Sequence, residues 1–409
     1  MNNDMNRKYG LDSVRVALMV MVVIHHSILA YVPSGTGAQI NDPSNFIWFE
    51  KMALYFDNFF MFTFFMLSGL FVIRGIHKKG SLGFIIDRFI RLMVPFGIVT
   101  LLINPIAQYY SYSYYYQLHI NFSSFFEFYK AVFGDGAAFQ LWFLWVLFVF
   151  DILVVVLFKL VGRNVNGNFK KGMKLFKNEF IFLLIMVVIS YLLYSPLVDA
   201  VGNGFIMIAD PFNLQLSRIG VYFLYFLVGV LVGNAGFENT FWRRGKPLLK
   251  AILYLSVSIL FTVIMSYYLA YVTSGKITSS DDIKGIITLL KLLTILISFS
   301  VTVGLVYLST LQQKKNEIVA YLSDYSMGIY ILHYVVVTVL QFYLISVNVL
   351  PLFKGILVSF FGLIISAVLT MGLKKVPILN VIFGGRCREK NRWIYIVLTI
   401  VIIVFMVLT

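Results

Sequence analysis

The chain alternates between long apolar runs and short polar connectors. Eleven runs come close to or exceed the ~20 residues that an α-helix needs to cross a bilayer. They cover residues 11–31, 52–73, 92–112, 138–158, 179–195, 217–234, 249–272, 286–309, 324–346, 354–373 and 393–409. The first run is too long for the apolar part of a cleaved signal peptide. The pattern predicts an all-α fold: one domain over residues 1–409, built as a polytopic membrane bundle of about eleven helices.

Lysine and arginine are concentrated in alternate connectors. Of the 33 basic residues, 26 lie in segments on the amino-terminal side of the predicted bundle. Because basic residues stay on the cytoplasmic side during insertion, we predict a cytoplasmic amino terminus. Topology thus accounts for most of the net charge of +15 and argues against a nucleic-acid partner. A face this basic would also attract anionic lipid headgroups or a phosphorylated small molecule.

Composition supports a membrane protein and limits the possible chemistry. Only 12% of the residues are charged, against about 25% in a typical soluble domain. The single cysteine, Cys387, excludes an intramolecular disulfide and a cysteine metal cluster. We therefore expect no bound metal and a chain that is embedded in the lipid bilayer.

The first span carries ionisable side chains at two depths. Asp12 and Arg15 stand at its entrance, and His25 and His26 lie well inside. Arg15 and His26 are separated by ~16 Å along a helix axis, about half of a bilayer core. A histidine at that depth either packs in the bundle or serves function, for example in proton transfer. Adjacent residues are ~100° apart on a helix, so the two histidines cannot face the same spot.

Two more segments could contribute to a site. Arg88 and Arg91 are three residues apart just before the third span, where they could bind phosphate or simply anchor the helix on the cytoplasmic side. His333 follows Asp324 by nine residues, which places it ~13 Å along its span, at a depth similar to that of His26. His333 alone could be a structural histidine, but the matched depth suggests one shared cavity.

Other polar and small residues within the spans allow narrower expectations. Asp57 could orient a histidine or an acceptor hydroxyl, and Asp151 needs a partner that the sequence does not identify. Ser68 and Gly69, like Gly229 and Gly233, predict close helix packing. The tyrosine-rich run 109–116 is typical of an interfacial aromatic belt.

Taken in order, these segments resemble the acyltransferase-3 family of integral membrane acyltransferases from residue 11 to about residue 370. The family motifs are matched by Asp12, Arg15 and His26, by Phe64, Phe65, Ser68 and Gly69, by Arg88, Arg91 and Pro95, by 141–144 with Trp142, and by Ser326 to His333 with Tyr330. Met327 replaces the usual Tyr or Phe of the last motif. Some members carry an extracytoplasmic hydrolase-like domain, for which we find no counterpart in this sequence.

The resemblance implies transfer of an acyl group, such as acetyl or succinyl, from cytoplasmic acyl-CoA to a hydroxyl of a cell-surface or lipid-linked glycan. The glucan-modifying branch is the most similar. It also implies a multi-pass protein of a bacterial cell membrane, with acyl-CoA as donor substrate and no permanently bound cofactor. We therefore predict catalytic residues His26, Asp12 and His333, acyl-CoA-binding residues Arg15, Arg88, Arg91 and Arg74, and supporting residues His25, Asp57, Ser68, Trp142 and Tyr330.

Two alternatives come from other functional classes. A polysaccharide or lipid-linked-sugar exporter could use the same scaffold without catalysis and would not depend on acyl-CoA. A non-catalytic sensor or assembly scaffold has little in its favour. The spacing of Arg15 and His26, together with Arg88 and Arg91, favours the enzyme, because transport has no special need for it.

Overall fold

The structure is a computed structural model that describes residues 9–35, 37–115, 125–131, 138–161, 178–236, 240–243, 245–275, 279–312, 314–385, 387 and 391–408. In this part of the chain the α-helices are α1 Tyr9–Ile28, α2 Ile47–Asp57, α3 Phe60–Gly69, α4 Val72–Arg88, α5 Val94–Leu102, α6 Asn104–Tyr115, α7 Phe125–Ala131, α8 Trp142–Val161, α9 Glu179–Val201, α10 Leu216–Ala235, α11 Pro247–Thr273, α12 Ser280–Leu311, α13 Glu317–Leu344, α14 Pro351–Lys374, α15 Pro377–Ile382 and α16 Arg392–Leu408. Short 3-10 helices cover Leu29–Tyr31, Phe139–Leu141 and Phe241–Arg243, and Phe89–Met93 forms a π-helical turn.

The all-α membrane bundle is confirmed. Ten helical segments of the described chain are long and apolar enough to cross a membrane, and Arg392–Val407 is a shorter apolar helix where the eleventh span is expected. Several helices are longer than their apolar runs. Helix α12, for example, has 32 residues and a length of ~48 Å, well beyond a ~30 Å hydrocarbon core.

Glycines set the closest helix contacts. A Cβ atom on Gly229 would lie 2.0 Å from the Met66 carbonyl oxygen, and one on Gly233 would lie 2.1 Å from that of Leu70. In the facing helix, a Cβ on Gly69 would lie 2.2 Å from the Phe226 carbonyl oxygen. Since any side chain there would force α3 and α10 apart, the close packing expected from these glycines is confirmed.

Helix α4 folds back on itself before the chain re-enters the bundle. Gly80 has φ +71°, a conformation that glycine adopts at little cost, and it divides α4 into two helical segments. Lys79 and Asp87 form an ion pair at 2.8 Å across the bend. The π-helical turn follows, and Pro95 then lies in the first turn of α5, where it needs no hydrogen-bond donor.

A small hairpin interrupts the helices between α9 and α10. Strand β1, Ile206–Ala209, pairs antiparallel with β2, Phe212–Leu214. Trp145 of α8 donates from Nε1 to the Asn213 carbonyl oxygen at 3.0 Å and fixes the hairpin to the bundle. The sequence pattern did not predict this hairpin, because its strands are only four and three residues long.

Helix α1 lies inside the bundle, where it packs against α12, α13 and α14. A Cβ on Gly10 would lie 1.7 Å from the Ser309 carbonyl oxygen, so α1 begins directly against the end of α12. We call the end of the bundle where α1 begins, next to α4, the basic end. The opposite end, where α6 and the loop 37–46 meet, is called the tyrosine end.

Candidate active site

His25 and His26 point to different parts of the bundle, as the helical geometry predicts. The His25 ring, which is buried, packs against Phe60 with 5.2 Å between ring centroids and lies 6.5 Å from Phe56. Its Nδ1 has no hydrogen-bond partner among the described residues. The partly exposed His26 ring instead faces His333 of α13.

His26 and His333 form the centre of the site. Their ring centroids are 5.2 Å apart, so the matched depth of the two histidines corresponds to a real contact. His333 is fully buried, and its Nδ1 lies 2.7 Å from the Tyr330 carbonyl oxygen. Because a carbonyl can only accept, Nδ1 carries the proton and Nε2 is left with a free lone pair when the ring is neutral. This Nε2 has no hydrogen-bond partner in the described part of the chain.

A narrow cavity, with an accessible volume of about 10 Å³, borders His26. It is lined by His26, Leu29, Gly37, Ala38, Gln39, Tyr334, Val337, Thr338 and Gln341. Three of these residues belong to the loop 37–46, so this loop forms the wall on the tyrosine end. At this volume the cavity has room for about one water molecule beside the imidazole.

The end of α1 is held next to this cavity by α13. Gln341 donates from Nε2 to the carbonyl oxygens of His26 and Ser27 at 2.9 and 3.1 Å. These carbonyls lie in the last turn of α1, where backbone C=O groups have no N–H partner within the helix. The same helix thus carries His333 and fixes the backbone of His26. Gln341 was not among the predicted site residues, although a polar residue within an apolar span is a usable signal.

The loop 37–46 is fixed by a buried ion pair. Lys354 of α14 lies 2.6 Å from Asp42, and both side chains are 2% exposed. Asp42 also accepts from the Ser44 backbone N–H at 2.9 Å, and its own N–H donates to the Ala30 carbonyl oxygen at 2.8 Å. The loop that forms the cavity wall is therefore held in place by the bundle.

Asp12 and Arg15 lie at the basic end, apart from the histidines. Arg15 Nη1 is 3.4 Å from Asp12 Oδ1, and its guanidinium carbon is 5.5 Å from the centroid of the Phe71 ring. Ser323 of α13 also donates to Asp12 at 3.4 Å. Asp12 precedes His26 by fourteen residues, which is ~21 Å along α1. The structure therefore groups Asp12, which was predicted to be catalytic, with Arg15 and not with His26.

The predicted phosphate-binding arginines differ in their surroundings. Arg88 Nε lies 3.2 Å from Asp151 Oδ2, a carboxylate with no exposed surface, which identifies the partner that Asp151 required. Arg91 Nε lies 3.2 Å from Asp87 and keeps 47% of its side chain exposed. Arg74 is exposed on α4. The π-helical turn begins directly after Arg88, and such turns occur frequently at functional sites.

Asp57 is paired with Arg218, which was not among the predicted site residues. Arg218 Nη2 lies 2.8 Å from Asp57 Oδ2, and Nη1 donates to the Asp57 carbonyl oxygen at 2.8 Å. Asp57 is also within electrostatic range of His25. Since Arg218 is 6% exposed and Asp57 43%, the carboxylate holds a buried cation and still faces open space.

The other predicted supporting residues make structural contacts. Ser68 donates to the Phe64 carbonyl oxygen of its own helix at 2.8 Å. The Trp142 ring packs 5.8 Å from Tyr222 in an aromatic cluster. The Tyr330 hydroxyl donates to the Gln140 carbonyl oxygen, and the backbone carbonyl of Tyr330 itself holds His333. Among the described residues, no group of three or more His, Cys, Asp and Glu side chains could hold a metal ion.

Together these features define a polytopic membrane protein with a histidine pair in its interior and a basic entrance at one end. A family model described as an acyltransferase domain, that of the acyltransferase-3 family, matches residues 8–371. The chain therefore belongs to this family and is a membrane acyltransferase. No curated protein and no solved structure matches the chain. Since the family consists of enzymes, the exporter alternative is not retained.

Proposed function

We propose that the protein transfers an acyl group, acetyl or succinyl, from cytoplasmic acyl-CoA to a hydroxyl of a cell-surface or lipid-linked glycan. The observation that carries this proposal is the His26–His333 pair beside a cavity, with His26 in the last turn of the helix that carries Arg15 eleven residues earlier. The basic end would face the cytoplasm, in agreement with the distribution of lysine and arginine.

The donor would bind at the basic end. Arg15, Arg88 and Arg91 keep between 19% and 47% of their side-chain surface exposed, so their guanidinium groups can reach an anionic ligand. Guanidinium groups bind phosphate with paired hydrogen bonds. The flexible arm of CoA would then carry the thioester over the ~16 Å that separate Arg15 from His26 along α1.

His26 would act as general base in direct transfer. It takes the proton of the acceptor hydroxyl while the hydroxyl oxygen attacks the thioester carbonyl carbon. The carbon–sulfur bond breaks, the sulfur leaves with the bonding electrons, and it takes up a proton to give free CoA and the ester. His333, whose Nε2 lone pair is free, would hold the His26 ring or the acceptor hydroxyl in place.

In a second version of the mechanism His26 is a transient acyl carrier. The unprotonated imidazole nitrogen attacks the thioester carbonyl carbon, the carbon–sulfur bond breaks, and the thiolate takes up the proton of the other ring nitrogen to leave as CoA. The acceptor oxygen then attacks the acyl-imidazole, and the carbon–nitrogen bond breaks to release the ester. His333 would accept the hydroxyl proton in this second step. Rapid quenching of single turnovers with labelled acyl-CoA distinguishes the versions, because only the carrier version produces labelled protein at His26.

The proposal is tested by acyl transfer in nanodiscs, with radiolabelled acetyl-CoA or succinyl-CoA and a panel of glycans. Substitution His26→Ala should lower the rate by about 10²–10⁴-fold, the usual contribution of general acid–base catalysis. His25→Ala should have a much smaller effect, because His25 packs against Phe60. His77→Ala is the matched control, since His77 is exposed on α4.

Transfer by the wild type and its loss in His26→Ala alone would support the proposal. Undiminished transfer by His26→Ala would remove His26 from the chemistry. If no glycan accepts label from either donor, the glycan acceptor is wrong.

A further inference from the structure

Exposed tyrosines surround the outer turns of α6. This helix carries no charged residue, and its last seven residues include five tyrosines. Tyr112 and Tyr115 are 38% and 49% exposed. Tyr343 of α13 is 61% exposed, and its hydroxyl lies 3.3 Å from that of Tyr110. We call Tyr112, Tyr115 and Tyr343 the tyrosine surface.

The tyrosine surface is connected to the cavity of His26 through hydrogen bonds. Ser111 donates to the carbonyl oxygen of Gln39, a cavity-lining residue, at 2.9 Å. Asn41 donates from Nδ2 to the Tyr115 hydroxyl at 2.9 Å, and the Tyr114 hydroxyl donates to the Asn41 carbonyl oxygen. Helix α6 therefore holds the loop 37–46 in position. A chain lying on α6 would have one end close to the cavity.

The chemistry of this surface fits a neutral saccharide. A tyrosine offers an aromatic face to the C–H groups of a sugar ring and a hydroxyl that both donates and accepts hydrogen bonds. The nearby cation Lys354 is neutralised by Asp42 and buried. On α7, Glu127 and Lys130 are exposed and opposite in charge. Among these described residues, the opposite charges balance and leave no excess charge to attract an anionic chain.

We propose that the tyrosine surface binds a neutral saccharide chain of the acceptor and directs one hydroxyl to His26. This inference rests on the proposed function and specifies the acceptor. The competing explanation is an interfacial aromatic belt, in which tyrosines only anchor the helix in the membrane. Tyr267 and Tyr271 of α11 provide the comparison, because they are 66% and 40% exposed and do not line the cavity.

The test measures saccharide binding independently of acyl transfer. Purified protein in nanodiscs is passed over immobilised neutral glucan and over an anionic polysaccharide, and retention is quantified. Tyr343→Ala and Tyr115→Ala should each weaken binding to the neutral glucan by about five- to tenfold, as expected for loss of one aromatic contact. Tyr343→Trp, which keeps an aromatic face, should restore binding. Tyr267→Ala should bind like the wild type.

One further variant shows whether a loss of binding in Tyr115→Ala reflects a lost sugar contact or a disturbed loop. Tyr115→Phe keeps the ring but loses the hydroxyl that accepts from Asn41, so it separates sugar contact from support of the loop. Acyl-CoA turnover is measured on every sample. In the alanine variants we expect a higher KM for the glucan and an unchanged KM for acyl-CoA.

The outcomes distinguish the two proposals. If wild type does not bind the neutral glucan, or if Tyr343→Ala and Tyr115→Ala bind it as well as Tyr267→Ala does, the tyrosine surface is only a membrane belt. If the glucan binds as expected but no acyl group is transferred to it, the binding surface stands and the proposed reaction is wrong.

Discussion

The two ends of the bundle use cationic side chains in opposite ways. At the basic end, Arg15 and Arg91 pair with carboxylates and still keep 34% and 47% of their side-chain surface exposed. At the tyrosine end, Lys354 and Arg218 are 2% and 6% exposed, and each is held at short distance by an aspartate. A cation that is buried and paired cannot bind a further anion without leaving its partner. The comparison teaches that charge remains accessible at one end and is used for the fold at the other.

Arg88 is the intermediate case. It belongs to the basic end, but its partner Asp151 is completely buried in α8. Arg88 Nε lies 3.2 Å from this carboxylate without forming a hydrogen bond, and the guanidinium carbon lies 5.1 Å from the centroid of the Phe84 ring. Asp151 therefore attracts the guanidinium group, and 19% of the Arg88 side chain remains exposed. If Arg88 binds the donor as proposed, Asp151 would be a positioning residue for it.

The largest effect is expected when the buried pair of the tyrosine end is broken. Lys354→Met leaves Asp42 as a buried carboxylate without its cation, which should cost about 3–5 kcal/mol of stability. Thermal unfolding in nanodiscs, followed by intrinsic fluorescence, should show a clearly lower Tm. The double variant Asp42→Asn/Lys354→Met should recover most of the loss, since no isolated charge is left. A single variant as stable as wild type would contradict the structural role of this pair.

A moderate effect is expected for the partner of Arg88. In Asp151→Asn the guanidinium group loses the carboxylate that attracts it, and we expect the KM for acyl-CoA to rise by roughly tenfold, equivalent to about 1.4 kcal/mol. The kcat should change little, because Asp151 does not contact the histidines.

Two further variants distinguish positioning from general instability in this experiment. Asp151→Glu, which restores the charge, should recover part of the affinity for acyl-CoA. Asp199→Asn removes a carboxylate that pairs with Lys291 at 2.5 Å in another part of the bundle, and it should leave the KM unchanged. A fall in kcat with constant KM in Asp151→Asn would show that Asp151 has some other role.

The smallest effect is expected at the exposed arginine. Arg91→Ala should weaken donor binding by about two- to threefold, because an exposed charge is well solvated and screened. The difference from wild type should shrink further as ionic strength is raised, and Arg91→Lys should behave almost like wild type. Arg91→Ala could instead raise the KM for acyl-CoA as much as Asp151→Asn does. In that case the burial of Asp151 does not give Arg88 a larger part in donor binding than Arg91.

The fold and the depth of the central histidines could be predicted because they follow from periodic and local rules. Spans result from apolar length. The equal depth of His26 and His333 allows their contact, although only the structure shows that α1 and α13 are neighbours. His25 and His26 point in different directions because adjacent residues of an α-helix are ~100° apart around its axis. Each of these inferences needs only positions along a helix.

Contacts between distant segments could not be predicted in this way. Asp151 meets Arg88, 63 residues earlier, and Asp57 meets Arg218, 161 residues later. Which helices are neighbours depends on packing of the whole bundle, and a single sequence contains no local signal for it. The same reason hid Gln341, whose role appears only when α1 and α13 are placed side by side.

The two hydrogen bonds from Gln341 to the end of α1 have a mechanical consequence. His333 and Gln341 lie on one rigid helix, eight residues apart, and they contact the side chain and the backbone of the same short segment. A tilt of α1 against α13 must break these bonds before it can widen the gap between the imidazoles. The histidine pair thus behaves as a stiff joint, because the two imidazoles can be separated only when both hydrogen bonds are lost.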